Sequence, residues 1–155
     1  MLFYKKILFP VDLSEASPKI ALHVNAVADK FGAEVYIIYV AHASEYSHGI
    51  NVPSPYMVDF EGEVIKAAKK RLQEFQTANF KDRPVKVNVV SGGYPGESIL
   101  NYVQSEGIDL IIMGHSRIGI ERLMMGSVAG HVVKRSLIPV LIVNPHGMKA
   151  DDDAK

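Results

Sequence analysis

Five short runs rich in β-branched residues recur along the chain: KKILFPVD (5–12), EVYIIYV (34–40), VKVNVV (85–90), DLIIMG (109–114) and PVLIVN (139–144). Several are apolar at successive positions rather than alternate ones, the pattern of strands covered on both faces. Helical patterns fill the intervals. Ile20, Val24, Val27 and Phe31 mark one face of a helix, and Val64, Ala68, Leu72 and Phe75 mark a second, with Lys69, Lys70 and Arg71 on its wet side. Ser17–Pro18 predicts an N-cap followed by a first-turn proline, and Gly32 predicts the stop. Pro95 opens a third helix that Gly107 ends. A fourth is expected from about Ser127 to Leu137, with Val128, Val132 and Ser136 on one face. Strict alternation of strand and helix predicts an α/β fold: an open five-stranded parallel sheet with helices on both faces. Right-handed crossovers leave few topologies. In the order 3-2-1-4-5, the loops after the first and fourth strands meet where the winding reverses, the usual ligand position in such sheets.

A length of 155 residues suits one domain, expected over 1–146, with a polar flexible tail over 147–155. Seventeen basic residues balance seventeen acidic ones, so no net field draws the chain to nucleic acid or an anionic membrane. The apolar runs are of strand length, far below the roughly 20 residues that span a bilayer. No cysteine is present, which excludes disulfides, thiol catalysis and cysteine-ligated metal. A cytoplasmic location is expected. The segment 41–59, AHASEYSHGINVPSPYMVD, interrupts the rhythm and reads as a long loop, either a flap beside the site or plain surface. Its His42, Glu45 and His48 lack a recognised ligand spacing, and no metal site is expected there.

The loop after the fourth strand, GHSRIGIERLMMGS (114–127), begins and ends with glycine. It matches neither the Gly-Lys-Ser/Thr phosphate loop nor the Gly-x-Gly-x-x-Gly dinucleotide fingerprint. Gly114 either admits a ligand close to the backbone or simply forms a turn. Gly126 and Ser127 lie before the fourth helix, where free amides and the helix dipole favour a phosphate group; Ser127 serves equally as a plain cap. His115 suits a phosphate contact or a solvent-facing position. Asp12 ends the first strand. Its carboxylate suits an adenine amino group, a ribose hydroxyl or a phosphate-bound Mg²⁺, or else a cap shared with Ser14 or Ser17.

With these pieces in order, KKILFPVDLS, EVYIIYV, SGGYPGESILNYVQSEGIDLIIMGHS and LMMGSVAGHVVKRSLIPVLIV resemble the universal stress protein domain over nearly the whole chain. The resemblance implies the 3-2-1-4-5 sheet and, in one branch of the family, an ATP site with Mg²⁺. By that resemblance Pro10, Val11 and Asp12 match the segment lining the nucleoside, and Val40 matches the backbone contact to adenine. Met113 and Gly114 match the start of the phosphate loop, and Gly126, Ser127 and Val128 its end. The ATP-binding pattern is Gly, two residues, Gly, nine residues, then Gly-Ser or Gly-Thr. Here the second glycine is replaced by Arg117 counting forward, or by Ser116 counting back, and the loop is one residue short. The guanidinium of Arg117 suits a phosphate and offers compensation for a lost amide contact.

The resemblance also implies a homodimer joined through strand 139–144, an apolar edge that invites a second copy. The leading expectation is an ATP-binding stress-response switch, with no nucleic acid or membrane partner and hydrolysis at most slow, since only Asp12 is a candidate group for catalysis. The alternative is a dimeric protein-interaction scaffold that has lost its nucleotide. A phospho-acceptor receiver is disfavoured, because the positions after the third and fifth strands read VVSGG and LIVNPHG. No motif specific to a flavin carrier is present.

Overall fold

A computed structural model describes residues 2–41, 54–115 and 125–145, with side chains of the second helix from residue 62 onward. The elements follow in the order β1 (Lys6–Pro10), α1 (Ser17–Phe31), β2 (Glu34–Ala41), α2 (Ser54–Asn79), β3 (Val85–Ser91), α3 (Pro95–Glu106), β4 (Leu110–Gly114), α4 (Ser127–Arg135) and β5 (Val140–Val143). All strand pairs are parallel, and the sheet order is β3-β2-β1-β4-β5. The expected fold class and topology are those observed.

Alternation along each strand sends successive side chains to opposite faces. Ile7 and Phe9 join Val35, Ile37, Leu110 and Ile112 in a layer closed by Ile20, Val24 and Leu72. Leu8 joins Tyr36, Ile38, Ile111 and Met113 in a second layer, closed by Ile99, Val103 and Val132. Two cores, one on each face, explain why the central strands are apolar without alternation. Gly32 and Gly107 end α1 and α3 in the left-handed region, at φ 65° and 64°. Each donates its N–H back to the helix, the backbone stop that glycine permits.

Three expected boundaries move. The N-cap of α1 is Ala16, not Ser17; Ser17 is the first helical residue and is buried. The loop expected over 41–59 is shorter, because Ser54 already begins α2. The helix expected to reach Leu137 ends at Arg135. Beyond it, the Ser136 hydroxyl donates to the Ile138 carbonyl at 2.7 Å and accepts its N–H at 3.2 Å, turning the chain into β5. Residues 42–53, with His42, Glu45 and His48, residues 116–124, with Arg117, and the tail from 146 lie outside the described residues.

Candidate functional site

The central strand β1 is paired unequally with its neighbours. Against β2 it runs for five residue pairs, from Lys6–Glu34 to Pro10–Ile38, and Val11 extends the ladder by donating to the Ile38 carbonyl at 2.9 Å. Against β4 it runs for two, Ile7–Leu110 and Leu8–Ile111. β4 meanwhile stays paired with β5 up to Gly114–Val143, and the His115 N–H continues that ladder to the Val143 carbonyl at 3.3 Å. The pairing of β1 with β4 thus stops short of the carboxyl end of the sheet, and a cavity of about 330 Å³ lies there. This is the reversal point of a doubly wound sheet.

Phe9, Pro10, Val11 and Asp12 from β1 and its following turn, Ile38, Tyr39 and Val40 from β2, and Met113, Gly114 and His115 from β4 line the cavity. Ser14 and Ala16 ahead of α1, Ser17 and Ile20 of α1, Pro95 and Ile99 of α3, and Val128 and Ala129 of α4 complete it. Three helices thus direct their N-termini to one space, and in none of the three does the N-cap residue's own side chain make a capping hydrogen bond. The first N–H groups of a helix lack intrahelical acceptors and carry its positive dipole end, so the cavity mouth favours an anion. Among the described lining residues Asp12 is the one acidic group, and no lysine or arginine accompanies it. Attraction for a phosphate at the described residues comes from these helix ends.

The turn after β1 is held by Asp12. Its Oδ1 accepts the Ser14 N–H at 2.9 Å and the Ser17 hydroxyl at 2.8 Å. Between them Leu13 takes a left-handed backbone at φ 57°, a conformation that costs roughly 1–2 kcal/mol for a residue with a Cβ. Asp12 thus braces the turn that leads into α1 while still lining the cavity. Gly114 lines the cavity and also packs against α1. A Cβ built there would meet Ile20 Cδ1, the end of a flexible side chain, so Ile20 would have to turn aside for any larger residue.

A second cluster ties α3 to α4 beside the cavity. His131 Nε2 meets Glu97 Oε1 at 2.6 Å, and Arg135 donates to the same oxygen at 3.3 Å. The Tyr94 ring stands edge-on to His131 at 4.9 Å, and its hydroxyl donates to the Ser127 carbonyl at 3.2 Å. Gly96 leaves room for this contact, since a Cβ there would lie 2.7 Å from the His131 ring. The cluster fixes where the α4 N-terminus faces the cavity.

Of the residues singled out from sequence, Pro10, Val11, Asp12, Val40, Met113, Gly114, His115 and Val128 line one space. Gly126 and Ser127 form the start of α4 next to it, Gly126 as N-cap at φ −53°, without lining it. Sequence reasoning missed Ile20, Ile38 and Ile99, whose apolar character marked them only as core. It also missed Tyr94, Glu97 and His131; His131 reads from sequence as an ordinary helix residue.

A doubly wound α/β sheet with three helix N-termini around its reversal point is an architecture whose ligands bind at that point. The universal stress protein family model matches residues 3–144, and the chain belongs to that family. It is 32% identical to universal stress protein MJ0531 of Methanocaldococcus jannaschii over 142 residues, covering 90% of this chain and 82% of the relative. Universal stress protein MJ0577 of the same organism is 30% identical, with 90% and 94% covered. The solved structure of MJ0577 superposes with a TM-score of 0.74 at 27% identity, over 96% of this chain and 99% of that one. Two more distant structures share the fold. One is a universal stress protein in complex with cAMP, at TM-score 0.60 and 19% identity over 93% and 99% of the two chains. The other is the universal stress protein from Archaeoglobus fulgidus in complex with dAMP, at 0.56 and 16% over 92% and 100%.

Proposed function

We propose that the chain binds an adenine nucleotide in the crevice between β1 and β4, with ATP the form its sequence resemblance implies, and acts as a nucleotide-dependent stress-response switch. The observation that carries this reading is the cavity at the carboxyl ends of β1 and β4, beyond their pair Leu8–Ile111, onto which three helix N-termini open. Two structural relatives described as complexes with cAMP and dAMP support the choice of an adenine nucleotide.

The residues fit such a group. A cavity of about 330 Å³ lies within the range of small-molecule and cofactor sites, and its mostly apolar floor suits a base and ribose. In this reading Pro10, Val11, Asp12 and Val40 hold the nucleoside. Met113, Gly114, His115, Arg117, Gly126, Ser127 and Val128 serve the phosphate end. Mg²⁺ would accompany the phosphates, with the Asp12 carboxylate as a candidate contact. The nucleotide supplies a charged group whose presence or absence the loop after β4 reads.

The same reading includes a homodimer through β5. This strand is an edge of the sheet; its own Leu141 is exposed, as are Val133 and Leu137 (93%) shortly before it in the chain. Light scattering is expected to give twice the 17.1 kDa chain mass. A monomer contradicts that part alone.

Titration calorimetry with MgATP tests the nucleotide reading. Saturable heat is expected, and no heat at millimolar ATP rejects it. The second reading, a dimeric scaffold without nucleotide, is favoured by the missing loop glycine and by Ile20 filling the space beside Gly114. Absence of heat together with a dimer selects it.

A further inference from the structure

Proline in the central strand of a five-stranded sheet is out of place, because it cannot donate to the ladder. Pro10 ends β1, and β1 is the middle strand. The hydrogen bonds around it explain both its tolerance and its effect. Successive residues of a strand turn their backbone groups to opposite neighbours. The Lys5 carbonyl accepts from Glu34 on the β2 side, and the Lys6 carbonyl accepts from Asp109 on the β4 side. The Val11 N–H again goes to β2, at Ile38. Lys6, Leu8 and Pro10 therefore face β4.

The pairs Ile7–Leu110 and Leu8–Ile111 are the rungs that Leu8 serves. The next rung requires residue 10 to donate its N–H to the Ile112 carbonyl, and proline has none. On the other side nothing is interrupted, because Phe9 and Val11 face β2. The ladder fails on one side of one strand, at the level where Pro10, Met113 and Gly114 line the cavity.

We infer that Pro10 is a positioning residue that holds the binding crevice open by withholding the hydrogen bond that would zip β1 onto β4. The inference rests on the nucleotide reading for its consequence, though its geometry stands apart from that reading. With a donor at position 10, pairing to Ile112 competes with opening, and the ligand must break that bond to enter.

The test uses two variants of the full chain, P10A and a semisynthetic P10A chain whose amide between residues 9 and 10 is replaced by an ester. The ester carries the same alanine side chain but lacks the N–H. In ligand-free P10A, NMR is expected to show a through-hydrogen-bond coupling from the nitrogen of residue 10 to the Ile112 carbonyl, and slowed exchange of the new amide. MgATP affinity of P10A is expected to fall about tenfold, of the order of one hydrogen bond, and the ester is expected to return it to within about threefold of the parent. Free exchange of the amide at position 10 overturns the inference. So does an equal loss in both variants, which assigns the effect to the proline ring. If the parent itself gives no heat with MgATP, the nucleotide reading fails, and the coupling measurement still decides whether Pro10 keeps the strands apart.

Discussion

At the amino-terminal end of the sheet the strands are fastened. The Asp109 carboxylate accepts the N–H of Lys5 at 2.9 Å and of Lys6 at 3.2 Å, and Lys6 Nζ donates to the Glu106 carbonyl at the end of α3 at 2.8 Å. Lys86 Nζ donates to the Tyr36 hydroxyl at 2.9 Å and lies 4.8 Å from the centre of its ring. At the carboxyl end the pairing of β1 with β4 has stopped, Leu13 holds a left-handed backbone, and the N-cap residues of three helices make no side-chain cap. One end satisfies its polar groups internally, and the other directs them into a cavity. Stability and binding are therefore expected to separate by location, and substitutions at the two ends should affect different measurements.

The largest expected effect is at the fastened end. Asp109→Ala removes a charged acceptor shared by two backbone amides and should lower unfolding free energy by about 2–3 kcal/mol in chemical denaturation. MgATP affinity should stay within about twofold. An equal loss of affinity would break the division between the ends. Gly114→Ala places a methyl group against Ile20 Cδ1, the movable end of that side chain, and should cost about 1 kcal/mol, most of it recovered in the double variant G114A/I20V, which removes the opposing Cδ1. No recovery would show that close approach to the backbone, not helix packing, requires glycine there. Asp12→Ala releases the Ser14 N–H and the Ser17 hydroxyl and should cost about 1 kcal/mol of stability. Its larger signature is an MgATP affinity reduced about tenfold, since the turn that lines the cavity loosens.

The smallest effect is a pH dependence. The hydrogen bond to Tyr36 raises the Lys86 ammonium above its ordinary value, and the Tyr36 and Glu34 charges add to the shift. Burial, then the Glu106 charge, raises the Tyr102 phenol, while its hydrogen bond with Asn88 opposes the shift. The folded chain thus holds both protons more tightly than the unfolded chain. Their contribution is complete below about pH 10 and is lost as pH rises through the folded-state values. The urea midpoint should fall above about pH 10, and less steeply in Tyr102→Phe. An unchanged slope in that variant would remove Tyr102 from the account.

The sequence carries the fold because parallel strands buried on both faces cannot hide: unbroken apolar runs such as Ile7–Phe9 and Leu110–Met113 have no polar face to confuse with surface. Gly32 and Gly107 mark helix ends for a reason confined to their own backbone. The start of α2 was legible and misread. Ser54–Pro55 repeats the Ser17–Pro18 signal, but proline in a polar stretch reads as loop when the apolar periodicity comes later. At the site, Pro10, Asp12 and Gly114 stand at strand ends, where position alone suggests a role. Which role depends on contacts between distant segments. Ile20 beneath Gly114, and His131 against Glu97 on another helix, join residues far apart in the chain whose types are unremarkable. No local pattern encodes such meetings.

The account turns on the parted end of the sheet being where ligand enters. Titrating isotope-labelled protein with MgATP and following backbone amides tests this directly. Shifts are predicted at Val11, Asp12, Val40, Gly114 and Val128, with Lys5, Lys6 and Asp109 unmoved. Saturating shifts clustered at the fastened end, or none anywhere, would contradict it.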